Sequence, residues 1–154
     1  MKIRTIALTV VAVCFVSLCF AAENPNMGTW KLNEAKSKMS PGAPKNNTVV
    51  YTAAGDSVKV TVDGVDGKGK PTHNEWTGKF DGKDYPVTGD PSSDARSYKK
   101  IDDRTLELTV KKDGKVTASG RVAVAADGKS RTVTTSGTES MGMKTEMSSV
   151  YDKK

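Results

Sequence analysis

The feature that most constrains this chain is a repeated alternation of apolar and polar residues, interrupted every few residues by a glycine-containing turn. In residues 57–63, Val58, Val60 and Val62 alternate with polar neighbours, and residues 105–111 follow the same pattern. Because successive side chains of a strand point to opposite faces, this pattern predicts strands with one buried and one solvated face. The sequence therefore predicts an all-β fold.

Asp-Gly pairs mark the turns between these strands. They begin at residues 63, 66, 81, 113 and 127. Asp-Gly favours tight hairpins because it tolerates the positive φ angles that such turns need. Lysine follows four of the five pairs, and it keeps a strand edge soluble without any further function. We therefore expect neighbouring strands to be antiparallel and joined by short hairpins.

The runs between turns predict about ten strands. They cover residues 28–33, 47–54, 57–63, 71–80, 84–88, 95–101, 104–112, 115–126, 130–137 and 144–152. Closure removes the exposed edges of such a meander, so we expect an antiparallel up-and-down meander closing into an eight- to ten-stranded barrel. A two-sheet sandwich is the alternative. Two prolines break residues 33–46, where at most one helical turn fits, around residues 34–39.

The first 21 residues have the pattern of an export signal. Two basic residues precede an apolar run over residues 6–20, and Ala21 is a small residue at the expected cleavage point. The run is 15 residues long, short of the ~20 that span a bilayer. We expect cleavage after Ala21, a single domain over residues 22–154 and a periplasmic or secreted location. Lipidation of Cys19 is the alternative, and it would attach the chain to a membrane.

The mature chain has a small supply of apolar side chains. Both cysteines lie in the first 21 residues, and only 18 of the following 133 residues are Val, Ile, Leu or Phe. Side chains too few and too small to fill a ten-stranded barrel leave a cavity, and a cavity can hold a ligand.

Two short motifs resemble known barrel families. The first predicted strand carries Gly-Thr-Trp-Lys-Leu at residues 28–32, and the last carries Val-Tyr-Asp-Lys at residues 150–153. The Gly-x-Trp resembles the opening of lipocalins, and both motifs resemble fatty-acid-binding proteins. The resemblance implies a calycin-type barrel, like those of small exported bacterial lipocalin-like proteins, whose interior takes small, mostly apolar molecules.

The resemblance also implies positions for basic side chains. Fatty-acid-binding proteins place an arginine two residues before the last-strand tyrosine to hold the ligand carboxylate, and here that position is Ser149. Lipocalins lay a basic side chain from near the C-terminus over the Gly-x-Trp indole, where it gains cation–π attraction. Lys144, Lys153 or Arg131 could play this part over Trp30.

The residue inventory argues against catalysis. The chain has one histidine, His73, and the mature part has no cysteine, so Cys/His nucleophilic sites and multi-histidine metal sites are excluded. The alternation places His73 on the outer face of its strand.

The net charge of +6 comes from lysines interspersed with acids, which is not the clustered pattern of a nucleic-acid interface. We expect no enzyme, no cofactor and no nucleic-acid partner.

Arg96 and Tyr98 are the predicted polar anchor for a ligand. They are two residues apart on one predicted strand, so they share a face and can offer a cation and a hydroxyl to an acidic head group. The alternative is that Arg96 extends into water at the edge of the barrel. The remaining predicted interior wall consists of Trp76, Phe80, Leu106, Leu108, Met147 and Tyr151.

Three functions remain open at this point. The first is reversible binding of a small, partly apolar molecule by a monomeric exported barrel. The second is a structural or stress-related envelope protein with a filled barrel and no ligand. The third is a Cu(I)-binding module through Met141, Met143 and Met147, because soft thioethers select Cu(I).

Overall fold

A computed structural model describes residues 23–138 and 144–154. These residues form ten strands and no helix: β1 (Gly28–Lys38), β2 (Lys45–Ala54), β3 (Ser57–Val65), β4 (Pro71–Gly78), β5 (Tyr85–Thr88), β6 (Ala95–Lys100), β7 (Thr105–Lys112), β8 (Lys115–Val124), β9 (Ser130–Thr138) and β10 (Lys144–Lys153). Each strand pairs antiparallel with its neighbour in sequence, and β1 pairs with β10 to close the barrel. The expected all-β meander and its closure are confirmed. A search of the described residues for a membrane-spanning helix finds none.

The first strand is longer than the sequence pattern predicts. β1 continues to Lys38, so the expected end at residue 33 and the helical turn around residues 34–39 are both wrong. Pairing with β10 holds the chain extended, with a register shift between Asn33 and Lys38. Within this irregular stretch the Ser37 hydroxyl accepts a 2.9 Å hydrogen bond from the Val150 amide. The local breakers Pro41 and Pro44 act only after the strand has ended.

Trp30 lies at the end of the barrel where β1 begins and β10 ends. Its ring is fully buried, and its indole Nε1 donates a 2.9 Å hydrogen bond to the Asn26 carbonyl. The guanidinium carbon of Arg131 is 4.7 Å from the ring centroid and Lys153 Nζ is 5.3 Å from it. The expected basic side chain over the indole is confirmed, and two residues share the position. The Lys144 side chain is not among those described.

Five rings pack together on the side of the barrel formed by β2 to β6. We call this group the aromatic cluster; it consists of Tyr51, Trp76, Phe80, Tyr85 and Tyr98. The rings of Trp76 and Tyr98 meet edge to face with centroids 4.9 Å apart, an arrangement that the ring quadrupoles favour. The Trp76 indole also donates a 2.8 Å hydrogen bond to the Arg96 carbonyl, so its polar atom is satisfied.

Gly78 leaves room for the aromatic cluster. A Cβ atom at this position would lie 2.5 Å from the Tyr85 ring and 2.7 Å from the Trp76 ring. The glycine thus allows two large rings to meet where the strand would otherwise place a side chain between them. This part of the interior is filled.

Candidate functional site

The barrel interior contains a cavity of about 150 Å³ beside the aromatic cluster. The aliphatic part of its wall consists of Val49, Val62, Leu108, Val110, Val122 and Val133. The polar part of its wall consists of Asn46, Tyr51, Arg96, Tyr98, Arg131, Thr135 and Tyr151. Two cations therefore face a small, largely apolar space.

Arg131 is buried without a counter-ion. Its exposure is 2%, and its guanidinium carbon lies 4.7, 4.8 and 5.0 Å from the ring centroids of Trp30, Tyr51 and Tyr151. The aromatic faces attract the cation but accept no conventional hydrogen bond from it. Its Nε and Nη1 atoms have no hydrogen-bond partner among the described residues. No ion pair within the described ranges involves Arg131.

Arg96 faces the same cavity from β6. It is 9% exposed, and its Nε is also buried without a partner in the described part of the chain. Its Nη2 lies 4.0 Å from Oδ2 of Asp90 in the β5–β6 connection, a separation that gives charge attraction without a hydrogen bond. Burial opposes ionisation of Asp90, but hydrogen bonds from Ser92 and Ser93 and the charge of Arg96 hold the pKa of this carboxyl below its usual value.

Three tyrosines, Tyr51, Tyr98 and Tyr151, add hydroxyl groups to the cavity wall. Desolvation, reinforced by the neighbouring Tyr98, raises the pKa of Tyr51 despite the opposing charge of Arg131. Desolvation also raises the pKa of Tyr151, again against the charge of Arg131. Both phenols are therefore protonated and able to donate a hydrogen bond at neutral pH. Donors from two guanidinium groups and two phenols, set in an aliphatic wall, complement an anion with an apolar body.

The structure brings together half of the predicted site residues. Arg96, Tyr98, Leu108 and Tyr151 line the cavity. The alternative in which Arg96 extends into water is wrong, because the side chain is buried.

The other four predicted residues do not line the cavity. Trp76 and Phe80 belong to the aromatic cluster, and Leu106 is packed in the core with 1% exposure. Met147 is half-buried on β10, where it pairs with Thr135 of β9. Strand alternation correctly predicts the interior positions of Trp76 and Leu106, but it does not tell which interior residues adjoin the empty space.

The sequence interpretation missed Arg131 and Tyr51 as cavity residues. A signal for each was present, since Arg131 has the same alternation phase as Val133 on β9, and Tyr51 has that of Val49 on β2. Arg131 also pairs with Tyr151 across β9 and β10. An arginine thus accompanies the last-strand tyrosine from the neighbouring strand, while position 149 of β10 itself is serine.

His73 lies on the outer surface, as the alternation predicts. Its side chain is 55% exposed, and its Nδ1 is 2.6 Å from Oδ1 of Asp63. This hydrogen bond raises the pKa of His73 above its usual value, with desolvation opposing and the charge of Asp63 adding to the rise.

No group of three or more His, Cys, Asp or Glu residues suited to a metal ion is found in residues 23–138 and 144–154. The Cu(I) hypothesis is untested, because Met141 and Met143 lie outside the described residues.

Larger hollows lie on the outside of the barrel. One of about 550 Å³ covers the outer face of β8 and β9 and is lined mainly by small residues, including Ser119, Thr132 and Thr134. No buried side chain with an unpaired polar atom in the described residues faces it. The internal cavity, although smaller, is therefore the better candidate site.

No protein-family model matches the sequence, and no curated protein matches it at significant similarity. The chain is similar to a redesigned β-barrel, b11L5F_LGL, with a TM-score of 0.44 and 11% identity over 84% of this chain and 92% of the other. It is also similar to EF1p2_mFAP2b, a structure bound to DFHBI, with a TM-score of 0.46 and 8% identity over 84% and 94% of the two chains.

Proposed function

We propose that this barrel reversibly binds a small, partly apolar carboxylic acid in its internal cavity and does not transform it. The observation that carries the proposal is the pair of buried arginines, Arg96 and Arg131, which line the cavity from β6 and β9 and have N–H groups without a partner among the described residues. A buried donor without a partner costs about 1–3 kcal/mol, and more when it is charged. A carboxylate in the cavity would accept hydrogen bonds from these donors and offset that cost.

The cavity volume limits the size of the ligand. At about 150 Å³ it is below the ~300–1,000 Å³ of typical ligand pockets. It matches the ~150 Å³ of an engineered cavity that holds benzene in another protein. A single-ring or short-chain acid fits these dimensions, whereas a long-chain fatty acid does not fit within them.

Benzoate and benzyl alcohol provide a direct test. The two molecules share a ring and differ in charge, so calorimetric titration of both separates recognition of the carboxylate from filling of the cavity. We expect benzoate to bind, and Arg131→Met to weaken benzoate about ten- to a hundredfold while changing benzyl alcohol far less. A charge-assisted hydrogen bond of about 1.5–3 kcal/mol corresponds to this loss.

Arg121→Met is the matched control. Arg121 lies on the exposed face of β8, so its replacement removes an equal charge without touching the cavity, and benzoate affinity should not change. Absence of benzoate binding at millimolar concentration, or equal losses in Arg131→Met and Arg121→Met, would contradict the proposal.

A structural role without a ligand is the second candidate. The observation in its favour is that the aromatic cluster and Leu106 fill much of the interior. If benzoate, short aliphatic acids and their alcohols all leave the melting temperature unchanged, this role replaces acid binding.

We also propose that the protein is an exported, lipocalin-like monomer. The pattern of residues 1–21 and the Gly-x-Trp motif support this proposal. The intact mass of the protein recovered from its own cell envelope tests it. A chain starting at Ala22 is the expected result, and a chain retaining residues 1–21 or carrying a lipid on Cys19 would contradict it.

A further inference from the structure

Asp90 is a carboxylate fixed next to the cavity. Its Oδ1 accepts hydrogen bonds from the Ser92 amide at 2.8 Å and the Ser92 hydroxyl at 2.6 Å. Its Oδ2 accepts one from the Ser93 hydroxyl at 2.5 Å, and Ser93 is itself buried. Four lone-pair sites with three filled leave this carboxylate little freedom to rotate.

The connection that carries Asp90 is held at both ends. Gly89 has a φ of +83°, and a Cβ atom there would collide with the His73 carbonyl oxygen on β4. At the other end the Asp94 carbonyl accepts a 2.9 Å hydrogen bond from the Val87 amide, and the Asp94 amide donates one of 3.0 Å to the Lys111 carbonyl. These contacts hold Asp90 in place relative to Arg96.

The charges around the cavity do not cancel. Arg96 and Arg131 contribute two positive charges, and Asp90 contributes one negative charge 4.0 Å from Arg96 Nη2. At this distance the charge of Asp90 offsets that of Arg96 without a hydrogen bond to Nη2. The buried Nε of Arg96 has no partner among the described residues and can donate to a ligand. One positive charge, effectively that of Arg131, remains without a counter-ion among residues 23–138 and 144–154.

We propose that Asp90 makes the cavity selective for acids that carry one negative charge over those that carry two. This inference rests on the proposed acid-binding function. A monocarboxylate balances the remaining charge, whereas the second carboxylate of a dicarboxylate would approach Asp90 and remain uncompensated. A charge buried without a partner carries a high desolvation cost, so the dicarboxylate is rejected.

Glutarate and its monomethyl ester test this selectivity. The two molecules have the same carbon backbone, and at neutral pH they differ by one charge, because an ester replaces one carboxylate. We expect wild-type protein to bind monomethyl glutarate at least ~10-fold more tightly than glutarate, expressed as the ratio of the two dissociation constants. In Asp90→Asn, with the negative charge removed and the shape kept, that ratio should fall at least ~10-fold.

Asp84→Asn is the control, because Asp84 pairs with Lys111 on the surface and its replacement removes the same charge outside the cavity. Its affinity ratio should equal that of the wild type. Asp90→Glu is the second variant, and circular dichroism reports whether each variant is folded. Asp90→Glu keeps the negative charge, so the wild-type preference for the monoester should persist in this variant even if both affinities drop.

The outcomes separate this inference from the acid-binding function. If monomethyl glutarate and benzoate both fail to bind wild-type protein, the acid-binding function is wrong and the inference falls with it. If they bind but Asp90→Asn leaves the ratio unchanged, or if wild-type protein binds glutarate as tightly as the monoester, only the selectivity is wrong. Loss of the preference in Asp90→Glu would also overturn it.

Discussion

The two sides of the barrel interior differ in how their space is filled and in how their polar groups are paired. In the aromatic cluster, rings fill the space, Gly78 admits them, and the Trp76 indole has its hydrogen bond. In the cavity, two arginines face an empty space with unpaired donors. The first arrangement stabilises the fold, and the second stores unsatisfied charge that a ligand can relieve. The difference indicates that stability and recognition depend on two adjoining sides of one small barrel, which share only Tyr51 and Tyr98.

The largest expected effect comes from the aromatic cluster. Trp76→Ala should lower the free energy of unfolding by ~3–5 kcal/mol, the usual range for a buried aromatic side chain, because Trp76 is 1% exposed and packs against three other rings. Urea unfolding measures the loss. Any folded Trp76→Ala protein should still bind benzoate within a few-fold of wild type, and loss of both properties together would show that the two sides are not separate.

Replacement of a charged cavity residue should change the free energy of unfolding far less than Trp76→Ala does. Arg131→Met replaces an uncompensated buried cation by an apolar side chain of similar length, so relief of desolvation offsets the lost attraction to Trp30, Tyr51 and Tyr151. We expect the free energy of unfolding of the empty protein to change by no more than ~1 kcal/mol. Thermal unfolding in buffer without organic acids is the measurement. A loss as large as that of Trp76→Ala would mean that Arg131 is a structural residue.

The smallest effect on stability is expected from a charged pair on the outer surface. This pair gives a baseline for the effects measured on the two sides of the interior. His73 and Asp63 are more than half exposed, where pairs of charges contribute little. Because the pKa of His73 is raised, the contact adds stability below the unfolded pKa of the imidazole and loses it as pH rises through the folded pKa. Asp63→Asn should lower the His73 pKa in an NMR titration, while Asp81→Asn should not. An unchanged pKa in Asp63→Asn would show that the hydrogen bond does not form.

Sequence patterns predicted the barrel because its determinants are local. Four of the five Asp-Gly pairs lie in connections between strands, as expected, and alternation such as that of Leu106 and Leu108 sets which face is buried. The turn expected at Asp63-Gly64 is wrong, because both residues lie within β3 and pair with β4. The extension of β1 to Lys38 was not predictable in this way, since it depends on pairing with β10, more than a hundred residues away. Tertiary pairing there overrides the local preference of the chain.

The candidate site was predictable only in part, for a related reason. Alternation divides residues into inner and outer, so it found Arg96 and Tyr98 together. Alternation carries no information on where a residue lies around the barrel. It therefore predicts Trp76 as a ligand-binding residue, whereas Trp76 lies in the aromatic cluster. Arg131 was assigned only to the Trp30 indole, although one guanidinium both covers that ring and lines the cavity.

The pairing of β1 with β10 also has a kinetic consequence. The first and last strands of the barrel complete the sheet together, so the final contacts have the greatest sequence separation that the fold allows. Such contacts slow folding, because the entropy of closing a long loop is lost before the contact forms. Until residues 144–153 have been synthesised, β1 and β9 both present unpaired edges, which are sites for pairing with other chains. A nascent chain of this protein therefore remains prone to aggregation until β10 is available to pair with both edges.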